Sequence, residues 1–317
     1  MTTRRLLRVL NGERLDPVPV WMMRQAGRHL PEYRELRSKA RDFLDFCYSP
    51  SLAAEATLQP VRRYGMDGAI LFADILLVLD AMGRNVRFIE GEGPRVDPAT
   101  KAAELAGVPI EKILARLAPV GETVERVRSA LGDETTLIGF AGSPWTVAVY
   151  AIEGRGGTDK SDSRKFGYQH PAELAGMLDQ LVEASAHYLA MQAKAGADAL
   201  MLFESWAEGL ADDAFRSWVI EPTAKLVKRV RGLGVRQPII GFPRGAGALT
   251  IDYAEKTGVQ AVGLDTAFPL ARAALLPEGM AVQGCLDPMR LVAGGPGLEA
   301  RVREIVDGLR GRPHIFN

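Results

Sequence analysis

The chain has 317 residues, 47% of them hydrophobic and 25% charged, enough to bury a full core as one large domain or two of medium size. Its 39 basic and 39 acidic side chains cancel to a formal net charge of +0, which argues against a nucleic-acid or membrane-surface protein, since both carry a basic excess or stripe. The two cysteines, Cys47 and Cys285, are too few for a disulfide framework and fit a reducing cytosol; nothing reads as a signal peptide, and no apolar run is long enough to span a bilayer.

Short apolar runs rich in Val, Ile, Leu and Phe predict strands at 18–23, 68–75, 136–143, 198–205, 237–245, 261–267, 280–288 and 313–317, with longer helical patterns between them. Strands that are apolar throughout and separated by helices imply a parallel sheet covered on both faces. About eight such units is the number that closes a (β/α)8 barrel. The predicted fold is therefore α/β, a single-domain TIM barrel over residues 1–317 with its active site at the C-terminal mouth of the strands. No Pro- or Ser-rich linker divides it.

Barrel geometry sorts the polar residues, because sites in this fold lie where strands end and loops begin. Arg24, Asp74, Ser143, Ser205, Arg244, Asp265 and Asp287 all stand at or just past a predicted strand end and would ring one mouth. The first strand breaks without transition into a segment carrying Arg24, Arg28, Arg34 and Arg37. Guanidinium groups stay charged and present a fork of donors that matches carboxylates, so the expected ligand is an anion with several such groups. Plainer readings stand beside this one. The arginines can pair with Glu32 and Glu35 on a solvated helix face, Asp74 and the serines can be helix caps, and Arg244 can pair with Asp265 or Asp287. Two segments look like covers: glycine-rich 151–170, and 83–96, which alternates like a hairpin and offers Arg84, Arg87 and Arg95 as further carboxylate donors.

Trp21, Met23, Arg24, Gln25, Ala26, Gly27 and Arg28 together resemble the N-terminal signature of the uroporphyrinogen decarboxylase family. A second signature of that family is met at GFAGSPWTVAVYAIEG, residues 139–154, with further likeness in LAAEATLQPVRRYGMDGAILFADIL and LFES. The resemblance implies cofactor-independent, metal-free decarboxylation of the four acetate arms of uroporphyrinogen III to methyl groups, in a cytoplasmic homodimer of haem biosynthesis. Such a substrate needs an apolar floor, for which Phe140, Trp145, Ile152 and Leu202 are candidates although each taken singly reads as ordinary core, and cations at the rim. Arg24, Arg28 and Arg37 are the expected clamps, with the amides of Gln25, Ala26 and Gly27 as added donors.

The aspartate of FADIL, Asp74, matches the family's catalytic aspartate, Tyr150 its substrate-contacting tyrosine and Ser205 its contacting hydroxyl. Arg24 and Arg28 are grouped with Asp74 and Tyr150 as candidate catalytic residues, although arginine is a poor general acid, and the proton donor stays unassigned. The family continues past HIFN into a Gly-flanked histidine that contacts substrate. The expectation is that such residues follow Asn317; His314 is expected to be structural. Cys285 stands where the family usually has Asn. Two other functions fit less of the sequence. A zinc- and corrinoid-dependent methyltransferase of the same superfamily needs clustered Cys and His ligands, which Cys47, Cys285 and the four histidines do not supply by spacing. A non-catalytic tetrapyrrole-binding protein would bind without turnover.

Overall fold

The computed structural model describes residues 3–317, in which short strands alternate with helices along the chain. β1 (Gly68–Ile70) precedes an antiparallel hairpin of β2 (Arg87–Ile89) and β3 (Gly93–Arg95). Then follow β4 (Thr136–Gly142), β5 (Ala199–Glu204), β6 (Ile239–Pro243), β7 (Ala261–Leu264), β8 (Ala281–Gly284) and β9 (His314–Ile315). Hairpin aside, they form one parallel sheet in the order β1-β4-β5-β6-β7-β8-β9. Each parallel step needs a crossover, and the helices that supply it cover the outside of a curled sheet. β4 is buried at every position, as expected of a strand covered on both faces.

The predicted first strand, 18–23, is reduced to one bridge, Val20 to Phe316. Pro17 and Pro19 have no backbone N–H, so a regular ladder cannot form there. The segment still spans the gap between the edge strands. Phe316 N donates to Pro19 O at 2.9 Å and Trp21 N to Phe316 O at 3.1 Å, while Asp67 N donates to Val20 O at 2.9 Å. Trp21, fully buried, adds a bond from its Nε1 to Gln283 Oε1 at 3.2 Å. The barrel is thus built of seven strands and one bridging segment.

The other strands stop short of their apolar runs, and this is what makes a mouth. β1 ends at Ile70, so Asp74 lies in the loop that leads into the helix Leu77–Ala81. β4 runs directly into the helix Pro144–Glu153, opened by Pro144 and closed by Gly154 at φ 70. That helix carries Tyr150 over the end of the strand. The cover expected over 151–170 is only partly a loop, because residues Ser161–Gln169 are helical. Asp159 Oδ1 accepts from Ser161 N at 3.0 Å, and Glu153 Oε1 accepts from Ser163 N and Oγ at 2.9 and 2.8 Å, which anchors the new helix to the old one.

Candidate active site

Arg24 adopts a left-handed backbone conformation, φ 55, which costs a non-glycine residue energy and marks a constrained turn. The constraint comes from Gln25. Its buried side chain accepts from Met22 N at 3.1 Å and donates to Gly68 O at 3.0 Å, fastening the turn to β1. The Gln25 amide donates to Met22 O at 3.2 Å, so it is not the ligand donor expected of it; the amides of Ala26 and Gly27 make no backbone hydrogen bond among the described residues. Arg24 and Arg28 are exposed and have no ion-pair partner among the described residues. The pairing with Glu32 and Glu35 does not occur, since those carboxylates take Arg63 at 3.0 Å and Lys39 at 3.6 Å. Arg37 is half-buried, donates to Ala40 O at 3.1 Å and lies 5.9 Å from the Phe46 ring centre.

Asp74 sits across from this turn. Desolvation pushes its carboxyl up to about 6; one N–H, from Leu76 at 2.8 Å, and the Arg24 charge act against that rise without cancelling it. Tyr150 is its neighbour, with a phenol pushed up to about 12, first by burial and then by the Asp74 charge. The tyrosine ring lies 5.8 Å from the Trp206 ring, and a methyl group at Gly156 would come within 3.3 Å of the Tyr150 hydroxyl, so the 154–160 loop packs directly on it. Ser205 follows β5, beside Trp206. Arg24, Asp74 and Tyr150 therefore form one cluster, Ser205 joins it through Trp206, and Arg28 and Arg37 approach from Tyr33, whose ionisation both charges favour.

Several expected contributors lie elsewhere. Trp145 and Leu202 are core: Trp145 stacks on Trp218 at 5.0 Å, and Leu202 has no exposed surface. Ile152 is likewise buried on its helix. Phe140 is buried too, edge-on to Phe203 at 5.3 Å, which in turn meets Phe242 at 6.5 Å; Phe203 and Phe242 are partly exposed near the ends of β5 and β6. These two were not expected from the sequence. Ser143 is buried with its hydroxyl unbonded, Asp287 caps the helix Pro288–Ala293 through Met289 N at 2.8 Å, and Asp265 accepts from Gly245 N at 2.6 Å. Arg244 pairs with neither aspartate but with Glu208, at 3.5 Å.

The 83–96 segment is the expected hairpin, yet its arginines are committed. Arg84 donates to Asp97 O and Pro98 O at 2.8 and 2.6 Å, Arg87 pairs with Asp97 at 2.9 Å and Arg95 with Glu92 at 2.5 Å. His314 is buried on β9, its imidazole pushed down to about 4 by desolvation, so it is neutral at ordinary pH. The expected histidine beyond Asn317 lies outside the described residues. Cys47 and Cys285 are both free and buried, and no group of three or more His, Cys, Asp or Glu side chains among the described residues is arranged to hold a metal ion. No helix among the described residues is long and apolar enough to cross a membrane.

The fold is a parallel α/β barrel of the enzyme type, and its mouth joins guanidinium groups without ion-pair partners among the described residues to one desolvated carboxylate. Comparison with known proteins gives the family. The family described as uroporphyrinogen decarboxylase (URO-D) matches residues 1–317. A relative named uroporphyrinogen decarboxylase from Hyphomonas neptunium is 61% identical over 317 residues, 100% of this chain and 92% of its own length. Another of that name, from Chelativorans sp., is 53% identical with the same coverage. The chain belongs to the uroporphyrinogen decarboxylase family. A solved methyltransferase from Methanosarcina mazei shares the fold, with a TM-score of 0.79 at 20% identity over 100% of this chain and 92% of that one.

Proposed function

We propose that the mouth holds uroporphyrinogen with its acetate and propionate arms on Arg24, Arg28 and Arg37 and its macrocycle over Asp74. The chain is a carboxy-lyase of tetrapyrrole biosynthesis, in keeping with relatives of that name that match it over its full length. Losing carbon dioxide directly from an acetate arm would leave a poorly stabilised carbanion. Protonating a pyrrole carbon first turns the ring into a cation that accepts the departing electrons; loss of carbon dioxide leaves an exocyclic methylene, which takes up a proton to become the methyl while the ring carbon gives its proton back. A carboxylate beneath the pyrrole N–H groups stabilises that cation, and the stabilisation is strong where water is excluded.

The observation that carries the assignment is Asp74 itself, desolvated, held by one backbone N–H, and facing Tyr150 and Arg24. With a carboxyl pushed up to about 6, it is mostly ionised at neutral pH. Tyr150 orients Asp74 or an acetate arm, and Ser205 contacts a further arm. The amides of Ala26 and Gly27 add donors at the rim. The four acetates of the III isomer are taken in turn, by a cytoplasmic homodimer. No step uses a metal or organic cofactor.

Anaerobic turnover of uroporphyrinogen III after exhaustive chelation tests this reading, with products separated by carboxyl number. Stepwise loss of four carboxyls is the expected result. Binding without product would support a carrier instead, and turnover restored only by zinc would return the methyltransferase reading. Sedimentation of the purified protein tests the dimer.

A further inference from the structure

The helix that carries Tyr150 and the loop that carries Ser205 are joined by one buried hydroxyl. Thr146 lies one turn before Tyr150 and has no exposed surface. Its Oγ1 accepts from Ser205 N at 2.8 Å and from Trp206 N at 3.3 Å. A hydroxyl has one proton and two acceptor positions, so accepting both amides requires that its proton be directed elsewhere. A threonine inside a helix commonly gives that proton to the carbonyl one turn back. Here it goes to Glu204 Oε1, the carboxyl of the last residue of β5.

Glu204 is itself fully buried, and its Oε2 has no protein partner among the described residues. Burial pushes its carboxyl up to about 8, so at neutral pH it is largely protonated and serves as a neutral acceptor. No cation pairs with it among the described residues; the titratable group that faces it is Tyr253, whose phenol its charge raises. A second tie runs the same way, from Trp145 Nε1 to Trp206 O at 3.0 Å. Trp206 is thus held at both backbone atoms, and its ring lies against Tyr150 and beneath Lys160 Nζ at 4.4 Å.

We propose that Glu204, acting through Thr146, is a positioning residue that fixes the Ser205–Trp206 backbone relative to Tyr150, so that two substrate contacts from different elements move as one unit. The proposal rests on the assignment of Ser205 and Tyr150 to the substrate site. Touching no substrate, Glu204 and Thr146 act only by directing one hydroxyl proton. Two consequences separate this from a purely structural role. The effect must be rescued by any side chain that restores the acceptor or the hydroxyl, and it must be coupled to Ser205.

The experiment measures kcat and KM on uroporphyrinogen for Thr146→Val, which keeps shape and removes the hydroxyl, and for Glu204→Leu, with Thr146→Ser and Glu204→Gln as rescues. Thr146→Val is expected to lower kcat/KM about tenfold, the scale of one or two hydrogen bonds. Thr146→Ser and Glu204→Gln are expected to recover it to within about twofold, because both restore the three-way bond. In a Ser205→Ala background Thr146→Val should cost less than about threefold, since its target is already gone.

Equal losses in both backgrounds, or a Glu204→Gln variant as poor as Glu204→Leu, would overturn the proposal. So would a Thr146→Val variant that keeps full kcat/KM. If Glu204→Leu fails to fold, Thr146→Val and its coupling to Ser205→Ala decide the question by themselves. Should wild-type protein turn over substrate while Ser205→Ala and Tyr150→Phe both leave kcat/KM unchanged, the substrate-site assignment fails and the proposal falls with it; should those two variants be impaired while Thr146→Val is not, only the proposal falls.

Discussion

The base of the barrel and the Arg24–Asp74 corner of its mouth treat the same kinds of side chain in opposite ways. Where the strands begin, Asp198 accepts from Arg4 and Arg128, each at 2.8 Å, and from Leu137 N at 2.8 Å. Asp67 accepts from Val20 N at 2.8 Å and lies 3.7 Å from Arg5. Those carboxylates are matched by cations and amides that stitch the termini of β1, β4 and β5 together. At the mouth Asp74 has one amide and no ion pair, and Arg24 and Arg28 have no carboxylate among the described residues. Charge that is satisfied by the fold stabilises it, whereas charge left unsatisfied is available to a ligand and costs stability until one arrives. Elsewhere at the same end Arg244 and Lys160 pair with Glu208 at 3.5 and 2.6 Å, so the unpaired charge is confined to Asp74 and the turn that carries Arg24 and Arg28.

The sharpest way to break this contrast is to neutralise one aspartate at each end. Asp74→Asn should lower decarboxylation by roughly 10²-fold or more while keeping the fold and some porphyrin binding, the scale of one preorganised electrostatic group. Asp198→Asn should lower the melting temperature by several degrees and leave turnover per folded molecule within about twofold, as expected for a site remote from the chemistry. Parallel thermal melts and rate measurements decide it. Near-normal turnover in Asp74→Asn, or lost turnover in a folded Asp198→Asn, would reverse the roles of the two ends.

A smaller effect separates two arginines close in sequence. Lysine keeps the charge and loses the bidentate fork, so Arg28→Lys should raise KM about tenfold while Arg34→Lys, on the exposed face of the helix Pro31–Arg37, should change it less than about twofold. Equal tolerance would return Arg28 to the solvated surface.

The smallest effect concerns stability. Glu204 is pushed up to about 8 in the folded chain from an ordinary value of 4.5, so between those limits the folded state holds a proton that the unfolded state has lost. Its contribution therefore falls as pH rises from about 4.5 toward 8 and levels off above, with Tyr253 the titratable group that faces it. Glu204→Gln should flatten the melting-temperature profile over that range. Superimposable wild-type and variant profiles would contradict a desolvated carboxyl at this position.

Much of this architecture is legible in the sequence because continuous apolar runs punctuated by helices admit few folds. The barrel and the hairpin over 83–96 follow from that pattern, whereas the apolar run 68–75 hides the end of β1 at Ile70 and so the loop position of Asp74. What the pattern hides is direction. A strand buried on both faces has no alternation to reveal which side chains enter the barrel, so the sequence leaves Leu202 open as floor or core, and nothing marks Phe203 and Phe242. Pairing is also invisible, since nothing in the local sequence shows that Arg87 meets Asp97, that Glu32 turns to Arg63, or that Glu204 and Thr146 meet across 58 residues. Cys285 is instructive in another way. It sits at φ 70, a conformation that Asn tolerates better than most residues, so the asparagine expected there by resemblance has a backbone explanation independent of any polar contact with substrate.

The claim on which the rest depends is that the mouth leaves Asp74 desolvated and without an ion pair. Isotope-edited difference infrared spectroscopy of wild type against Asp74→Asn reads that carboxyl directly as pH is varied. The predicted midpoint is about 6 in the ligand-free protein, shifted downward when a cationic porphyrin analogue binds and favours the carboxylate. A midpoint in the ordinary aspartate range of about 4, unmoved by the analogue, would show a solvated or already paired carboxylate and contradict that claim.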